Sequence, residues 1–327
     1  MMVPPMTDFV WHDGERVIRF GGDAIEHVWP AVELLTTARA EAGIPSHLVE
    51  RAAAVRHVPA GAVPDVAAGL ADTVAGDRLV AWGGGRVIDV AKALASARGG
   101  TVCAVPTTLS GAEMSSGHRT LPGFEDRPRT RPAAVLADAR LMTSAPWPIL
   151  RASAMNALGH AMEALYVPSR NPVATLAGLR AAWLLAEGLD APDEGGESLA
   201  LGSILAGYAL GATELSLHHV VCQTLVRVCS TPHATTNAVM LPHTVAAIAG
   251  FAPDQMTGLA EALGVSLSAL PGRIAELAGG GGSLRELGVQ RDALEPVAEA
   301  AAARSELQRL DQPPSREQLL RLLERAW

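Results

Sequence analysis

The rhythm of hydrophobic and polar positions changes partway along the chain. In the first part, short apolar runs are separated by turn residues. Phe9–Phe20 reads as a hairpin turning at Asp13-Gly14, and a helix is expected after Gly21-Gly22. Ala31–Thr37 reads as a short apolar strand and residues 52–58 as another. Arg78–Trp82 reads as a buried strand, Thr101–Val105 as the next and Ala133–Asp138 as the last. Helical patterns lie between them, amphipathic over Val63–Val74 and again over Val87–Ala97. Strands alternating with helices predict a mostly parallel sheet with helices on its faces. Pro146 and Pro148 then punctuate the chain, and from Ile149 onward the pattern is helical nearly throughout. Ser315-Arg-Glu-Gln318 is a capping-box start for a last helix running to Trp327. The expectation is an α/β domain over residues 1–147 followed by an all-α domain over 148–327.

Composition narrows the function classes. With 327 residues, 49% of them hydrophobic, the chain is long enough to bury a large core and to form two domains. A net charge of -8 with no basic run argues against a nucleic-acid partner. No apolar run approaches the ~20 residues of a membrane helix. Met1–Asp8 lacks the basic and apolar segments of a signal peptide. Cys103, Cys222 and Cys229 are odd in number and sit in apolar segments, so they read as buried thiols in a reducing compartment. A cytoplasmic protein acting on a small molecule, with no membrane partner, is the expectation.

Lys92 is the only lysine, in a chain whose other basic side chains are arginines. A lysine that survives such usage marks a place where a compact ammonium fits and a planar guanidinium does not, or else it is chance.

Two stretches carry candidate chemistry. Arg78–Trp82 runs into Gly83-Gly84-Gly85 and then a helix, an arrangement in which glycines let the backbone approach a pyrophosphate. It is not the G-x-G-x-x-G fingerprint, and a tight turn is the plain alternative. Asp89 and Lys92 follow one turn on, facing the same site or forming an i,i+3 ion pair. Pro106-Thr107-Thr108-Leu-Ser110-Gly111-Ala-Glu113-Met-Ser115 offers hydroxyls and N–H groups at the end of a strand. Gly279–Gly282 has no strand before it and reads as an interhelical loop.

The second stretch, Met155–His243, holds five of the ten histidines. Asn156 and His160 share a helix face, His219 and Gln223 repeat the spacing, and His233 follows Pro232. An amide and two or three imidazoles brought together suit a divalent metal or a proton relay. Glu163 is placed to support the imidazoles from behind, while His218 and His243 read as packed or surface imidazoles.

These motifs together resemble the iron-containing alcohol dehydrogenase superfamily, and within it the maleylacetate reductase branch. The match runs in order through Phe-Gly-Gly at 20–22, GGG-x-x-x-D-x-x-K at 83–92, Pro-Thr-Thr at 106–108 and Asp138. It continues through Asn-Ala-Leu-x-His-Ala-x-Glu at 156–163, Leu-His-His at 217–219 and Pro-His-Ala at 232–234. The resemblance implies a nucleotide-binding domain followed by a helical one, as in 3-dehydroquinate synthase, and a homodimer. NADH or NADPH would be held by Gly83, Gly84 and Gly85 with Asp89 and Lys92 nearby, contacted by Thr107, Thr108 and Ser110, with Thr37 or Arg39 near the adenosine.

Metal-dependent members hold iron or zinc with an aspartate and three histidines. The matching positions here are Asn156, His160, His219 and His233. Asn156 replaces a carboxylate by a neutral amide, which lowers affinity for a hard cation. The same residues mark the reductase branch, which implies a metal-free site where His160, His219, His233 and Asn156 act on an activated C=C of an oxo-dicarboxylate, converting maleylacetate to 3-oxoadipate. Two departures stand out: Gln223 occupies a position usually held by histidine, and the first domain is trimmed between Thr37 and Arg78. Arg227, His118 and Arg119 are candidate readers of a substrate carboxylate. The alternatives are a metal-dependent alcohol or polyol dehydrogenase, an NAD-binding lyase, and a non-catalytic nucleotide binder.

Overall fold

The computed structural model describes residues 8–30, 32–280 and 282–327. Ala31 of the expected second apolar strand, Gly281 of the glycine run and the leader reading of Met1–Thr7 lie outside the described residues. The chain divides into two compact units, one through Ala145 together with Gly196–Leu201, the other Pro146–Gly195 and Gly202–Trp327.

The first unit is built on a seven-stranded sheet: β1 (Phe9–Asp13), β2 (Arg16–Phe20), β3 (Glu33–Thr36), β4 (Ala54–His57), β5 (Arg78–Gly83), β6 (Thr101–Pro106) and β7 (Ala134–Ala137). Their spatial order is β1-β2-β7-β6-β5-β3-β4. Only the β1/β2 hairpin is antiparallel; the remaining pairs are parallel. The helices are α1 (Ala38–Glu41), α2 (Ser46–Glu50), α3 (Val63–Ala71), α4 (Gly85–Arg98) and α5 (Ala139–Met142). Alternate residues of the central strands go to opposite faces. Leu79 and Ala81 join the core with α3 and α4, whereas Val80 and Trp82 join the other core with Leu34, Val105 and Leu136. Both faces are covered, which explains why β5 and β6 read as unbroken apolar runs.

The first expected helix, after Gly21-Gly22, is a single 3-10 turn at Ala24–His27. The helix expected at Val87 starts at Gly85, because Gly84 adopts an extended N-cap conformation and frees the next residue to begin the helix. Gly99, in the left-handed region at φ 72°, ends it. The helix expected to reach Val74 stops at Ala71.

The second unit is helical: α6 (Trp147–Tyr166), α7 (Pro172–Asp190), α8 (Gly196–Gly211, its first six residues grouped with the first unit), α9 (Leu217–Cys229), α10 (His233–Ala249), α11 (Pro253–Ala262), α12 (Leu270–Leu277), α13 (Leu294–Ala302), α14 (Ser305–Gln308) and α15 (Arg316–Ala326). α6 is its axis and packs on α7 and α10, and α10 packs on α9. The α6/α7 crossing is close because Gly178 has no side chain: a Cβ there would stand 2.9 Å from the Ala161 carbonyl. Ser315 and Gln318 form the expected capping box of α15. Among the described residues no helix is long and apolar enough to cross a membrane.

Candidate active site

Strand order fixes where the first unit can hold a ligand. β3 pairs with β4 on one side and β5 on the other, so the chain's progress across the sheet reverses there. Ligands of open α/β sheets bind beyond the carboxyl ends of the strands at such a switch point. β3 ends there in Thr36-Thr37 and β5 in Gly83-Gly84-Gly85. No side chain caps the start of α4, which leaves its oriented N–H groups and partial positive charge at the glycine turn.

Each glycine makes room for a specific neighbour. A Cβ on Gly83 would lie 2.7 Å from Val87 Cγ2, one on Gly84 3.0 Å from Thr108 Cγ2, and one on Gly85 3.1 Å from Ser110 Oγ. The Thr107 N–H donates to the Gly83 carbonyl at 3.1 Å. The structure thus brings Gly83, Gly84, Gly85, Thr107, Thr108 and Ser110 together at the ends of β5 and β6. The hydroxyl of Thr37 accepts the Ala40 N–H at 3.1 Å and caps α1.

Lys92 is not available to a phosphate, contrary to the expectation for it. Its ammonium is fully buried and donates to the carbonyls of Ala112, at 2.9 Å, and Gly117, at 2.6 Å, with Asp89 Oδ1 at 2.8 Å. Two carbonyls take its hydrogen bonds and the Asp89 carboxylate compensates its charge. The simple i,i+3 ion pair is what the structure contains, and through the two carbonyls Lys92 also pins the segment after Ser110. His118 is likewise committed, since Nε2 accepts the Thr130 N–H and Nδ1 faces the Arg119 carbonyl at 3.1 Å, so it has no donor left for a carboxylate. Arg119 and Arg227 are exposed.

In the second unit, α6 presents Asn156, His160 and Glu163 on one side, all buried. α9 presents His218 and His219. The His160 and His219 rings stack with centroids 4.5 Å apart and 21° between planes, and His218 meets His219 edge-on at 4.9 Å. Glu163 Oε1 accepts the His219 backbone N–H at 3.1 Å and Oε2 lies 2.8 Å from His219 Nδ1. One carboxyl group therefore both caps the first turn of α9 and fixes the ring it carries. His218 Nδ1 lies 3.0 Å from Thr244 Oγ1. That hydroxyl also donates to helix carbonyls, so it accepts from His218, which is a satisfied core histidine. Asn156 Oδ1, His160 Nδ1 and His219 Nε2 are buried with no hydrogen-bond partner.

His233 stands exposed as the first residue of α10. Gln223 is engaged elsewhere: its Oε1 accepts from Arg304 at 3.2 Å, and Arg304 pairs with Glu306. His243 is half-buried on α10.

Burial dominates the electrostatics of this cluster. It pushes His218 and His219 down to about 3 and His160 well below the usual imidazole range, with neighbouring imidazoles adding to it. Burial lifts Glu163 to about 7. Charge is disfavoured on both members of the Glu163–His219 pair, which therefore carries one shared proton as a neutral unit near neutral pH.

Asn156 leaves this donor set without the carboxylate that a hard divalent ion favours. Among the described residues no group of three or more His, Cys, Asp or Glu side chains is placed to hold an ion. His233, although it reaches the surface, lies close enough to His160 and His219 to act on both rings.

Sequence reading missed three contributors. Gly159 lies between His160 and the packed His218, and its only signal is a glycine inside a helical pattern. Arg304 is remote in sequence from Gln223. Glu113 lies in the Pro-Thr-Thr segment, but nothing in the spacing shows that its side chain is buried.

Known proteins show the same organisation. The sequence profile of the Fe-containing alcohol dehydrogenase family, C-terminal part, matches residues 151–327, and that of iron-containing alcohol dehydrogenase matches residues 26–146. The chain is 37% identical over 265 residues to maleylacetate reductase 1 of Rhodococcus opacus, covering 76% of this chain and 72% of that protein. It is 36% identical over 286 residues to maleylacetate reductase of Sphingobium indicum, covering 84% and 80%. The crystal structure of maleylacetate reductase from Rhizobium sp. superposes with a TM-score of 0.84 at 28% identity, covering 98% of this chain and 99% of that one.

Proposed function

The chain belongs to the iron-containing alcohol dehydrogenase family and is an oxidoreductase, and on that premise we propose that it reduces maleylacetate to 3-oxoadipate with NADH or NADPH. The observation that carries this is the similarity to maleylacetate reductases over about three-quarters of each chain, and the neutral Asn156 among the imidazoles is consistent with it. The nicotinamide supplies hydride to the electron-poor alkene carbon when bound. Gly83, Gly84 and Gly85, with Thr107, Thr108 and Ser110, hold the nucleotide; Asp89 acts only through Lys92.

The remaining chemistry falls to the imidazole cluster. Reduction leaves an enolate, whose charge needs donors that cost no reorganisation. His160 and His219 are buried and held neutral, and Asn156 adds an amide. With its Nδ1 against Glu163, His219 gives a proton from Nε2 to the carbon next to the enolate, and Nδ1 takes the Glu163 proton. The dyad enters neutral and leaves as a carboxylate beside a neutral imidazole, so no isolated imidazolium forms in a buried place. His233, at the exposed edge, serves binding. A metal-free mechanism, a homodimer and a cytoplasmic setting belong to the same proposal.

Incubating the purified protein with NADH or NADPH and maleylacetate, and identifying the product by NMR, tests this. Cofactor oxidation with formation of 3-oxoadipate is expected; no oxidation with either cofactor rejects the substrate.

A further inference from the structure

Glu113 is the one fully buried carboxyl of the first unit whose two oxygens both lack a hydrogen-bond partner among the described residues. It lies in the segment that shapes the cradle. Its neighbour Ala112 has its Cβ 3.7 Å from where a Cβ on Gly85 would stand, and the Ala112 carbonyl receives the Lys92 ammonium. The Glu113 backbone carbonyl accepts from Arg16 at 3.2 Å. The segment's backbone is therefore held from two sides by buried cations, while the carboxyl between them is left without a bond.

We propose that Lys92 and Glu113 are positioning residues that preset the 107–117 segment over the glycine turn, and that the charge on Glu113 tunes how tightly nucleotide is held there. This rests on the nucleotide-binding reading given above. Lys92 acts through the Ala112 and Gly117 carbonyls, which set the path of the chain leading from Ser110. Glu113 acts by charge.

The groups around Glu113 carry one net positive charge: Lys92 is paired with Asp89, while Arg16 and Arg131, which donates to the neighbouring Met114 carbonyl, share the single Asp13 carboxylate at 3.1 and 3.6 Å. His118 is held down by burial and contributes no charge near neutral pH. A protonated Glu113 thus leaves one net positive charge beneath the loop whose hydroxyls are read as meeting a pyrophosphate; an ionised one cancels it. Burial lifts this carboxyl to about 7. The sign follows: below that pH the net positive charge under the cradle holds nucleotide tightly, and above it that charge is cancelled and the hold weakens.

The test uses the full-length protein and its Glu113→Gln and Lys92→Met variants. Dissociation constants for NADH and NADPH are measured by fluorescence titration at about pH 6 and about pH 8, on either side of the carboxyl. Amide hydrogen exchange over 107–117 is measured without nucleotide. We expect wild-type binding to weaken about threefold or more at the higher pH, an effect of one partly screened charge. Glu113→Gln should bind equally at both, and Lys92→Met should exchange faster over 107–117 than elsewhere in the unit. An unchanged pH dependence in Glu113→Gln overturns the role of Glu113, and unchanged exchange in Lys92→Met overturns that of Lys92. If Lys92→Met does not fold, Glu113→Gln exchange over 107–117 decides for the pair: a local increase supports it and none overturns it. If wild type binds neither nucleotide, the functional reading fails, while the exchange data still decide the positioning claim.

Discussion

Gly159 leaves the space that His218 fills: a Cβ on Gly159 would lie 2.7 Å from His218 Cδ2 and 3.2 Å from His219 Cε1. The stacked pair of imidazoles depends on this missing side chain. Replacing glycine by alanine inside an exposed helix normally stabilises by about 1 kcal/mol. Here the clash should win. Gly159→Ala is expected to lower Tm and to reduce kcat by about tenfold or more, as misplaced catalytic groups do. A higher Tm with unchanged kcat would show that the rings have room to spare.

Glu163 holds His219 through both its backbone N–H and its ring. Glu163→Gln keeps the shape but removes the acid of the dyad. We expect kcat to fall about 100-fold or more, within the range for a positioned proton donor, with little change in KM. Steady-state kinetics check this; wild-type kcat would remove Glu163 from the proton path.

Gly84 faces Thr108 with no room for a methyl group. Gly84→Ala should raise the dissociation constant for NADH or NADPH about tenfold, equivalent to about 1.4 kcal/mol, while the fold survives. Thr108→Ser, which removes the methyl at 3.0 Å, should recover part of that loss in the double variant. Calorimetric titration of the three proteins measures both, and undiminished binding by Gly84→Ala would detach the cradle from the nucleotide.

Acid stability follows from the buried groups. His160, His218 and His219 bind protons in the unfolded chain near pH 6.5 but in the folded one only well below it. The unfolded state then holds more protons, so stability rises with pH across that window. Glu113 and Glu163 work the other way between 4.5 and about 7, because the folded state keeps their protons longer. Below 4.5 the carboxyls are protonated in both states and the offset ends. Urea unfolding across the acid range should show stability lost as pH falls, most steeply below 4.5. A flat profile there would mean the imidazoles are not held neutral.

Much of the fold was legible because its signals are local. β5 and β6 announce themselves as apolar runs, the hairpin turns at Gly14, and Ser315 and Gln318 spell out a cap. The site was legible in part for the same reason: the i,i+4 spacing of Asn156 and His160 requires only a helix. What could not be read depends on partners distant in sequence. The reversal at β3 and β5 is a property of sheet order. Lys92 read either as facing the glycine turn or as half of an ion pair with Asp89, because only its sequence neighbours were visible, whereas in space it also meets the carbonyls of Ala112 and Gly117. Gln223 read as a departure at a usual histidine position, and its partner Arg304 lies 81 residues further along the chain.

The central claim is that the imidazole cluster works on maleylacetate without a metal. The most direct test is the rate of NADH or NADPH oxidation by maleylacetate before and after exhaustive treatment with a chelator, alongside metal analysis of the same sample. We predict turnover that is unchanged by chelation in protein carrying less than stoichiometric metal, and lost in His219→Ala. Activity that collapses on chelation and returns with added iron or zinc would contradict the account.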